Sequence, residues 1–153
     1  MEKLSEQRGL DGRIFKTPPL YAGAAGEVRC EVTTYCNNGA LALQLVGKID
    51  ERMLPPGIDP FQEPFATVTV NLALSDTLAD NEQFVDTNNL RGITTWLEAN
   101  GIASPTGYGA QSGYHVYPVY RFNLSENELA LVRHRKAEIG IARSQKSAPS
   151  IKR

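Results

Sequence analysis

The chain has 153 residues, of which 41% are apolar and 22% charged, and its formal net charge is -1. These values are typical of one globular domain with a real core, and they exclude a collagen-like, coiled-coil or wholly disordered chain. Two cysteines are too few for a disulfide scaffold, and no apolar run approaches the ~20 residues of a membrane-spanning helix. The first residues lack the apolar core of a secretory signal, so we expect a cytoplasmic protein.

Charge is distributed unevenly along the chain. Residues 50–98 hold nine acidic and two basic residues, a net charge of -7, whereas residues 129–153 hold seven basic residues and one acidic residue, a net charge of +6. Such asymmetry is typical of an interaction tail beside an acidic body. A solvated acidic face and a basic helix end that suits the helix dipole explain the same pattern, so both interpretations stay open.

The N-terminal third is predicted to hold a flexible segment and a β-hairpin. Residues 1–26 mix charge with glycine and proline and show no sustained period, which indicates a weakly structured arm. Apolar and polar residues then alternate on both sides of Asn37-Asn38-Gly39, three residues that favour tight turns. We therefore predict a hairpin over 27–47.

The middle of the chain is predicted as a loop, a strand and a second loop. Four prolines in residues 50–64 fix φ and remove backbone donors, which indicates a loop. Residues 65–74 are rich in β-branched side chains and are predicted as a third strand. Residues 75–83 are acidic and polar and are predicted as the second loop.

A helix of about three turns is predicted over roughly 89–100, because apolar residues recur there at helical spacing. Asp86 or Asn88 would cap its start, since their side-chain oxygens accept backbone N–H groups. This role explains Asp86 more economically than a cation site or a catalytic carboxylate does. Gly101 would end the helix.

The Gly-rich segment 103–113 is predicted as a loop, and it lacks the Lys-Ser/Thr pair of a phosphate-binding loop. A fourth strand over 114–122 follows, in which Pro118 indicates an edge or a bulge. Alternation assigns Tyr114, Val116, Tyr120 and Phe122 to its core face. The same alternation leaves four residues on the exposed face: His115, Tyr117, Val119 and Arg121.

Ser125-Glu126-Asn127-Glu128 is a capping box and predicts the start of a terminal helix. Residues 144–153 are predicted as a frayed basic tail, which leaves a single domain over 27–143. The element order is then β-β-β-α-β-α, an α+β fold with one antiparallel sheet of about four strands and two helices on one face. The predicted core comprises Val28, Val32, Leu41, Leu43, Val68, Val70, Ile93, Leu97, Tyr120 and Phe122.

No catalytic residue, metal site or cofactor is predicted. Cys30 and Cys36 would lie about 20 Å apart on one strand, too far for a disulfide, so we expect two reduced, unligated thiols that act as small core residues. His115 and His134 lie on different elements, and no nucleophile spacing accompanies either of them. Binding contacts are expected instead at Asp59, Glu63, Tyr117, Arg121, Arg133, Arg135 and Lys136.

Three stretches, FATVTVNL at 65–72, FVDTNNLRGITTWLEANGIASPTG at 84–107 and SGYHVYPVYRFNL at 112–124, resemble a small bacterial family of unknown function. Members of that family are carried on conjugative elements, plasmids and phages, and the resemblance covers about 27–124. It implies a protein of a mobile genetic element in a bacterial cytoplasm, and it assigns no role to any residue.

Three functions follow as hypotheses. The first is a non-enzymatic binding protein, a counter-defence inhibitor of the anti-CRISPR or anti-restriction type that blocks a host defence protein or nucleoprotein complex. The second is a nucleic-acid-binding accessory protein that uses the basic C-terminal helix. The third is a small enzyme with a site near Asp86, Gly107 and His115.

Overall fold

The computed structural model describes residues 9–19 and 26–151, with side chains described as far as residue 140. The described residues form an α+β fold of two antiparallel four-stranded sheets and two helices. The first sheet has the order β1 (Ile14–Lys16), β2 (Glu27–Thr34), β3 (Leu41–Lys48), β4 (Phe61–Thr67). The second has the order β5 (Thr69–Val70), β6 (Glu82–Val85), β8 (His115–Phe122), β7 (Ala103–Ser112). The helices are α1 (Ile93–Ala99) and α2 (Glu126–Ile151).

The α+β class and the two helices are confirmed, but the single sheet of about four strands is wrong. The predicted hairpin is present as β2 and β3, with Gly39 at φ +74° in its turn. A Cβ atom on Gly39 would lie 2.9 Å from the backbone nitrogen of Lys136, so α2 packs directly on this turn. Because Gly39 has no side chain, it can adopt the positive φ of the turn, and it also leaves room for the backbone of α2.

The predicted third strand is divided between the two sheets at Val68. The Val68 N–H donates to the Leu43 carbonyl of β3 at 2.9 Å, while its own carbonyl accepts from the Asp86 N–H at 2.9 Å. Val68, which is fully buried, thus lies between the end of β4 on the first sheet and the start of β5 on the second. The strand changes sheets here because its two backbone groups find partners on different sheets.

The expected weakly structured arm over 1–26 is ordered across its described part. Residues 14–16 form β1 against β2, and Leu10 is fully buried. The Asp11 carboxylate accepts the Val32 N–H at 2.8 Å, and the Trp96 indole donates to the Lys16 carbonyl at 3.0 Å. Hydrogen bonds to residues far along the chain hold this segment in place. The composition of residues 1–26 alone could not indicate that order.

The Gly-rich segment predicted as a loop is strand β7, the edge strand of the second sheet. It pairs with β8 through a two-residue turn, Gly113-Tyr114, with Gly113 at φ +65°. The pairing of β7 with β8 shifts register between Pro105 and Gly109, where β7 forms a bulge. Glycine at the first turn position matches the two-residue hairpin turns that suit the twist of paired strands.

Both helices differ from their predicted bounds. Helix α1 begins at Ile93, after Gly92 at φ +77°. Asp86 does not cap it; its carboxylate instead accepts the backbone N–H of Asn89 at 3.1 Å and closes a local turn. Helix α2 continues through Ile151, so the segment expected to fray is helical in its backbone up to that residue.

Nine of the ten predicted core residues are buried, and Val70 is half-buried because β5 is a two-residue edge strand. The core joins both sheets and the two helices, with Leu10, Leu90 and Val132 among its further members. Tyr114, predicted to face the core, is fully exposed at 107%. It lies in the β7–β8 turn, beyond the part of the ladder that covers the core.

The two cysteines occupy different environments. Cys30 is fully buried on β2, whereas Cys36 is exposed in the turn after Thr34, so the expectation of a core position is wrong for Cys36. Burial raises the pKa of the Cys30 thiol to about 12. A buried thiol with a raised pKa holds almost no reactive thiolate at neutral pH.

We therefore expect one thiol to react in the native protein and two after unfolding. In a titration at pH 8 with a chromogenic disulfide reagent, Cys36 should react within minutes and Cys30 only in denaturant. Cys36→Ser, the matched control, should abolish the native signal and leave one thiol after denaturation. Rapid native reaction of both thiols would contradict the buried position of Cys30.

Candidate functional site

The predicted acidic contact residues lie on and beside β4. The Asp59 carboxylate accepts from the Arg29 guanidinium at 2.7 Å and from the Phe61 N–H at 3.0 Å. The Phe61 N–H and Arg29 lower the pKa of Asp59. Glu63 is exposed and lines a cleft of about 790 Å³ with Lys48 and Arg52 among its other walls. Asp59 is thus already paired within the chain.

The basic helix binds the acidic segment of the same chain. Lys136 Nζ lies 3.1 Å from one oxygen of Asp80 and donates to the Leu78 carbonyl at 3.3 Å, and Arg133 Nε lies 3.2 Å from the other oxygen of Asp80. Arg135 pairs with Glu138 at 2.9 Å, and this contact lowers the pKa of Glu138. The opposed charges of the sequence therefore meet in part within one molecule.

The predicted enzyme site is only partly assembled. His115 Nε2 lies 2.8 Å from Thr87 Oγ1, so the histidine does approach the turn that holds Asp86. The Asp86 carboxylate is occupied by the Asn89 backbone and side chain, and Gly107 lies in the β7 bulge at φ +90°. Within residues 9–19 and 26–140, no group of three His, Cys, Asp or Glu side chains is placed to hold a metal ion.

The predicted exposed face of β8 does not form one surface. Arg121 is exposed and contacts Glu82 at 3.3 Å, but Val119 on the same side of the alternation is buried. Tyr117 is half-buried, with its ring 4.6 Å from that of His115. Burial therefore changes along β8: the half nearest Phe122 covers the core, and the half nearest the turn extends beyond it.

The β7–β8 hairpin carries three large exposed side chains, one in the β7 bulge, one in the turn and one at the start of β8, that we call the tyrosine tip. Tyr108 is 77% exposed, Tyr114 is 107% exposed and Val116 is 61% exposed. Large exposed aromatic and apolar side chains on one hairpin are candidates for an interaction surface. The tip was missed because alternation assigned Tyr114 to the core, although the Ser-Gly-Tyr-His string is typical of a two-residue hairpin turn.

The hairpin that carries the tip has no charged residue before Arg121, which lies near the end of β8. No Asp, Glu, Lys or Arg occurs between Glu98 and Arg121, a stretch that includes all of β7 and most of β8. Its turn and outer strand, residues 103–114, contain three glycines, two tyrosines and two serines. Tyrosine with small polar residues is the composition of antibody paratopes, where it supplies contact area at low entropic cost.

The β7 bulge that holds Tyr108 is fixed by hydrogen bonds. The Thr106 hydroxyl donates to the Val119 carbonyl at 2.8 Å and accepts from the Tyr108 N–H at 3.1 Å. The Gln111 amide donates to the Gly113 carbonyl at 3.2 Å beside the turn. These contacts hold the backbone on both sides of the tip, which lowers the entropy that binding would otherwise cost.

Comparison with known proteins gives a family and no activity. No helix in the described part of the chain is both long and apolar enough to cross a bilayer. No curated protein and no solved structure matches the chain. A family model described as a domain of unknown function, DUF4313, matches residues 30–139, which is more than half of the sequence. The chain therefore belongs to the DUF4313 family.

Proposed function

We propose that this protein is a non-enzymatic binding protein that engages a protein partner through the tyrosine tip. The observation that carries the proposal is the exposure of Tyr108, Tyr114 and Val116 on one hairpin that has no charged residue before Arg121. Tyrosine is enriched at binding hot spots because its ring buries a large area while its hydroxyl keeps a hydrogen bond.

The charge distribution supports a protein partner over nucleic acid. Most of the affinity for a phosphate backbone comes from lysine and arginine, and the hairpin carries neither between Glu98 and Arg121. On α2, Arg133 and Lys136 are held by Asp80, and Arg135 by Glu138. The carboxylates of Asp80 and Glu138 offset part of the positive charge that these three side chains would present to a phosphate backbone.

We further propose that the partner belongs to a host defence complex, so that occupation of its surface blocks that complex. This extension rests on the resemblance of residues 27–124 to proteins of mobile genetic elements. The tip suits a blocking role because a stable β-hairpin can enter a concave site without first becoming ordered. An uncharged tip predicts an uncharged, partly apolar recess on the partner.

Affinity capture with matched variants tests the proposal. The tagged protein, its Tyr108→Ser/Tyr114→Ser variant and a Met53→Ser/Ile58→Ser control would be exposed to lysate of a bacterium that carries CRISPR and restriction systems. Met53 and Ile58 are exposed apolar residues outside the hairpin, at 77% and 45%. We expect a defence protein that the wild type and the control retain after nuclease treatment and that the tip variant loses at least about 10-fold.

Two outcomes would contradict the proposal. If the tip variant retained the same proteins as the wild type, the tyrosine tip would not be the contact. If all capture ceased after nuclease treatment, the protein would bind nucleic acid instead. A retained protein outside any defence system would leave the binding role in place and overturn the counter-defence role.

A further inference from the structure

The second sheet has one long open edge among the described strands. At the edges of the two sheets, β1 has three residues and β5 has two. Strand β4 is longer but carries Pro64, an exposed glutamate and two register shifts against β3. Short length, proline, charge and irregular register are the features by which proteins protect edges from pairing. The edge strand β7 has ten residues and carries Pro105 and a register shift before Gly109, but its outer part, Gly109–Ser112, has no proline and no charge and pairs with β8 in continuous register.

Strand geometry decides which backbone groups of β7 point away from β8. Ser112 and His115 flank the two-residue turn, so they exchange backbone hydrogen bonds with each other. Along the ladder, Ala110 then faces Tyr117 through hydrogen bonds, while the backbone groups of Gly109 and Gln111 point outward. The odd-numbered residues of β8 should therefore direct their carbonyls toward β7. The Val119 carbonyl agrees, because it accepts the Thr106 hydroxyl of β7 at 2.8 Å.

We infer that this edge joins a second copy of the chain, with the two β7 strands antiparallel. Gly109 of one copy would pair with Gln111 of the other, and the two-fold axis would pass between the two Ala110 residues. Each of the two symmetric pairs exchanges two backbone hydrogen bonds, and the second sheets of both copies become one continuous sheet.

Self-pairing fits the chemistry of the segment. In a two-fold interface each patch meets itself, so any net charge on it repels its own copy. No Asp, Glu, Lys or Arg lies within residues 99–120, and the residue at the axis has the small side chain of Ala110. Opposed residues in a non-hydrogen-bonded pair approach to about 4.5 Å between Cα atoms, which alanine accommodates.

Sedimentation equilibrium of the full chain tests the inference without any host partner, so its failure would leave the proposed function standing. A short interface of this kind is weak, so we expect the average mass to rise from 16.8 kDa toward twice that value between about 5 and 500 µM. Gln111→Pro should stay monomeric, since it removes an outward N–H and leaves the β8 ladder intact. Gln111→Ala, which keeps that N–H, should dimerise like the wild type.

A second variant covers the case in which Gln111→Pro disturbs the hairpin. Ala110→Lys would place two like charges at the axis and should remain monomeric, with an unchanged circular dichroism spectrum. A wild type that stays monomeric over the whole range would overturn the inference. So would dimerisation of Ala110→Lys at wild-type strength, or a loss in Gln111→Ala as large as that in Gln111→Pro.

Discussion

Replacing Glu128 by alanine is expected to destabilise the fold by about 3 kcal/mol or more, because three backbone donors lose one shared acceptor. The Glu128 carboxylate accepts from the Leu10 N–H at 3.1 and 3.0 Å, from the Asp11 N–H at 2.7 Å and from the Ser125 N–H at 2.9 Å. The Glu128 residue as a whole is only 8% exposed. An orphaned buried donor costs ~1–3 kcal/mol, and water could rescue only the more exposed of the three.

The same substitution should release residues 9–16 from β2. Urea unfolding gives the stability change, and hydrogen exchange at Leu10 and Asp11 reports the local release. Glu126→Ala, at an exposed acid two residues earlier in the first turn of α2, is the matched control and should cost less than about 1 kcal/mol. A Glu128→Ala protein within 1 kcal/mol of the wild type would show that this carboxylate does not anchor the N-terminal segment.

The second large effect is expected at Gln83, which is fully buried on β6 and connects the two sheets. Its Nε2 donates to the Leu41 carbonyl of β3 at 2.9 Å. Its Oε1 accepts from the Ser75 hydroxyl at 2.8 Å and from the Phe84 N–H at 2.9 Å. One side chain thus satisfies polar groups on the first sheet, on the second sheet and on the 3₁₀ turn between β5 and β6.

Gln83→Ala should lower the free energy of unfolding by about 3 kcal/mol, the sum of a cavity and unpaired buried polar groups. Gln83→Leu separates these causes, since it restores most of the volume but none of the hydrogen bonds, and it should still cost about 2 kcal/mol. Gln62→Ala, at an exposed glutamine on β4, is the control and should change stability by under about 0.5 kcal/mol. Wild-type stability in Gln83→Leu would rule out the polar bridge as a source of stability.

The sequence predicted those parts of the fold whose cause is local. The β2–β3 hairpin followed from alternation around Asn37-Asn38-Gly39, and the start of α2 followed from its capping box. Strand β7 was missed because its glycines, serines and proline favour a loop when β8 is not considered. The anchoring of residues 9–16 was missed because its main acceptor, Glu128, is 118 positions away from Leu10.

The candidate site shows the same limit. The sequence placed Tyr114 on the fourth strand with its side chain toward the core, but its actual outward direction depends on where β8 leaves the core, and alternation cannot locate that point. The basic residues of α2 were expected to contact a partner, yet Lys136 meets Asp80, 56 positions away. Which acid meets which base is decided by tertiary packing, so charge counted along the chain could not distinguish an interaction tail from an internal pair.

The central claim is that the tyrosine tip binds a protein through uncharged contacts, and a titration of the captured partner against salt tests it most directly. The dissociation constant would be measured by calorimetry for the wild type, Tyr114→Ala and Arg133→Ala at about 50 and 200 mM salt. We predict a loss of about 10-fold or more for Tyr114→Ala, little change for Arg133→Ala, and less than about 3-fold weakening by salt. A wild-type affinity in Tyr114→Ala, together with weakening of about 100-fold or more by salt, would contradict the claim and assign the contact to the basic helix.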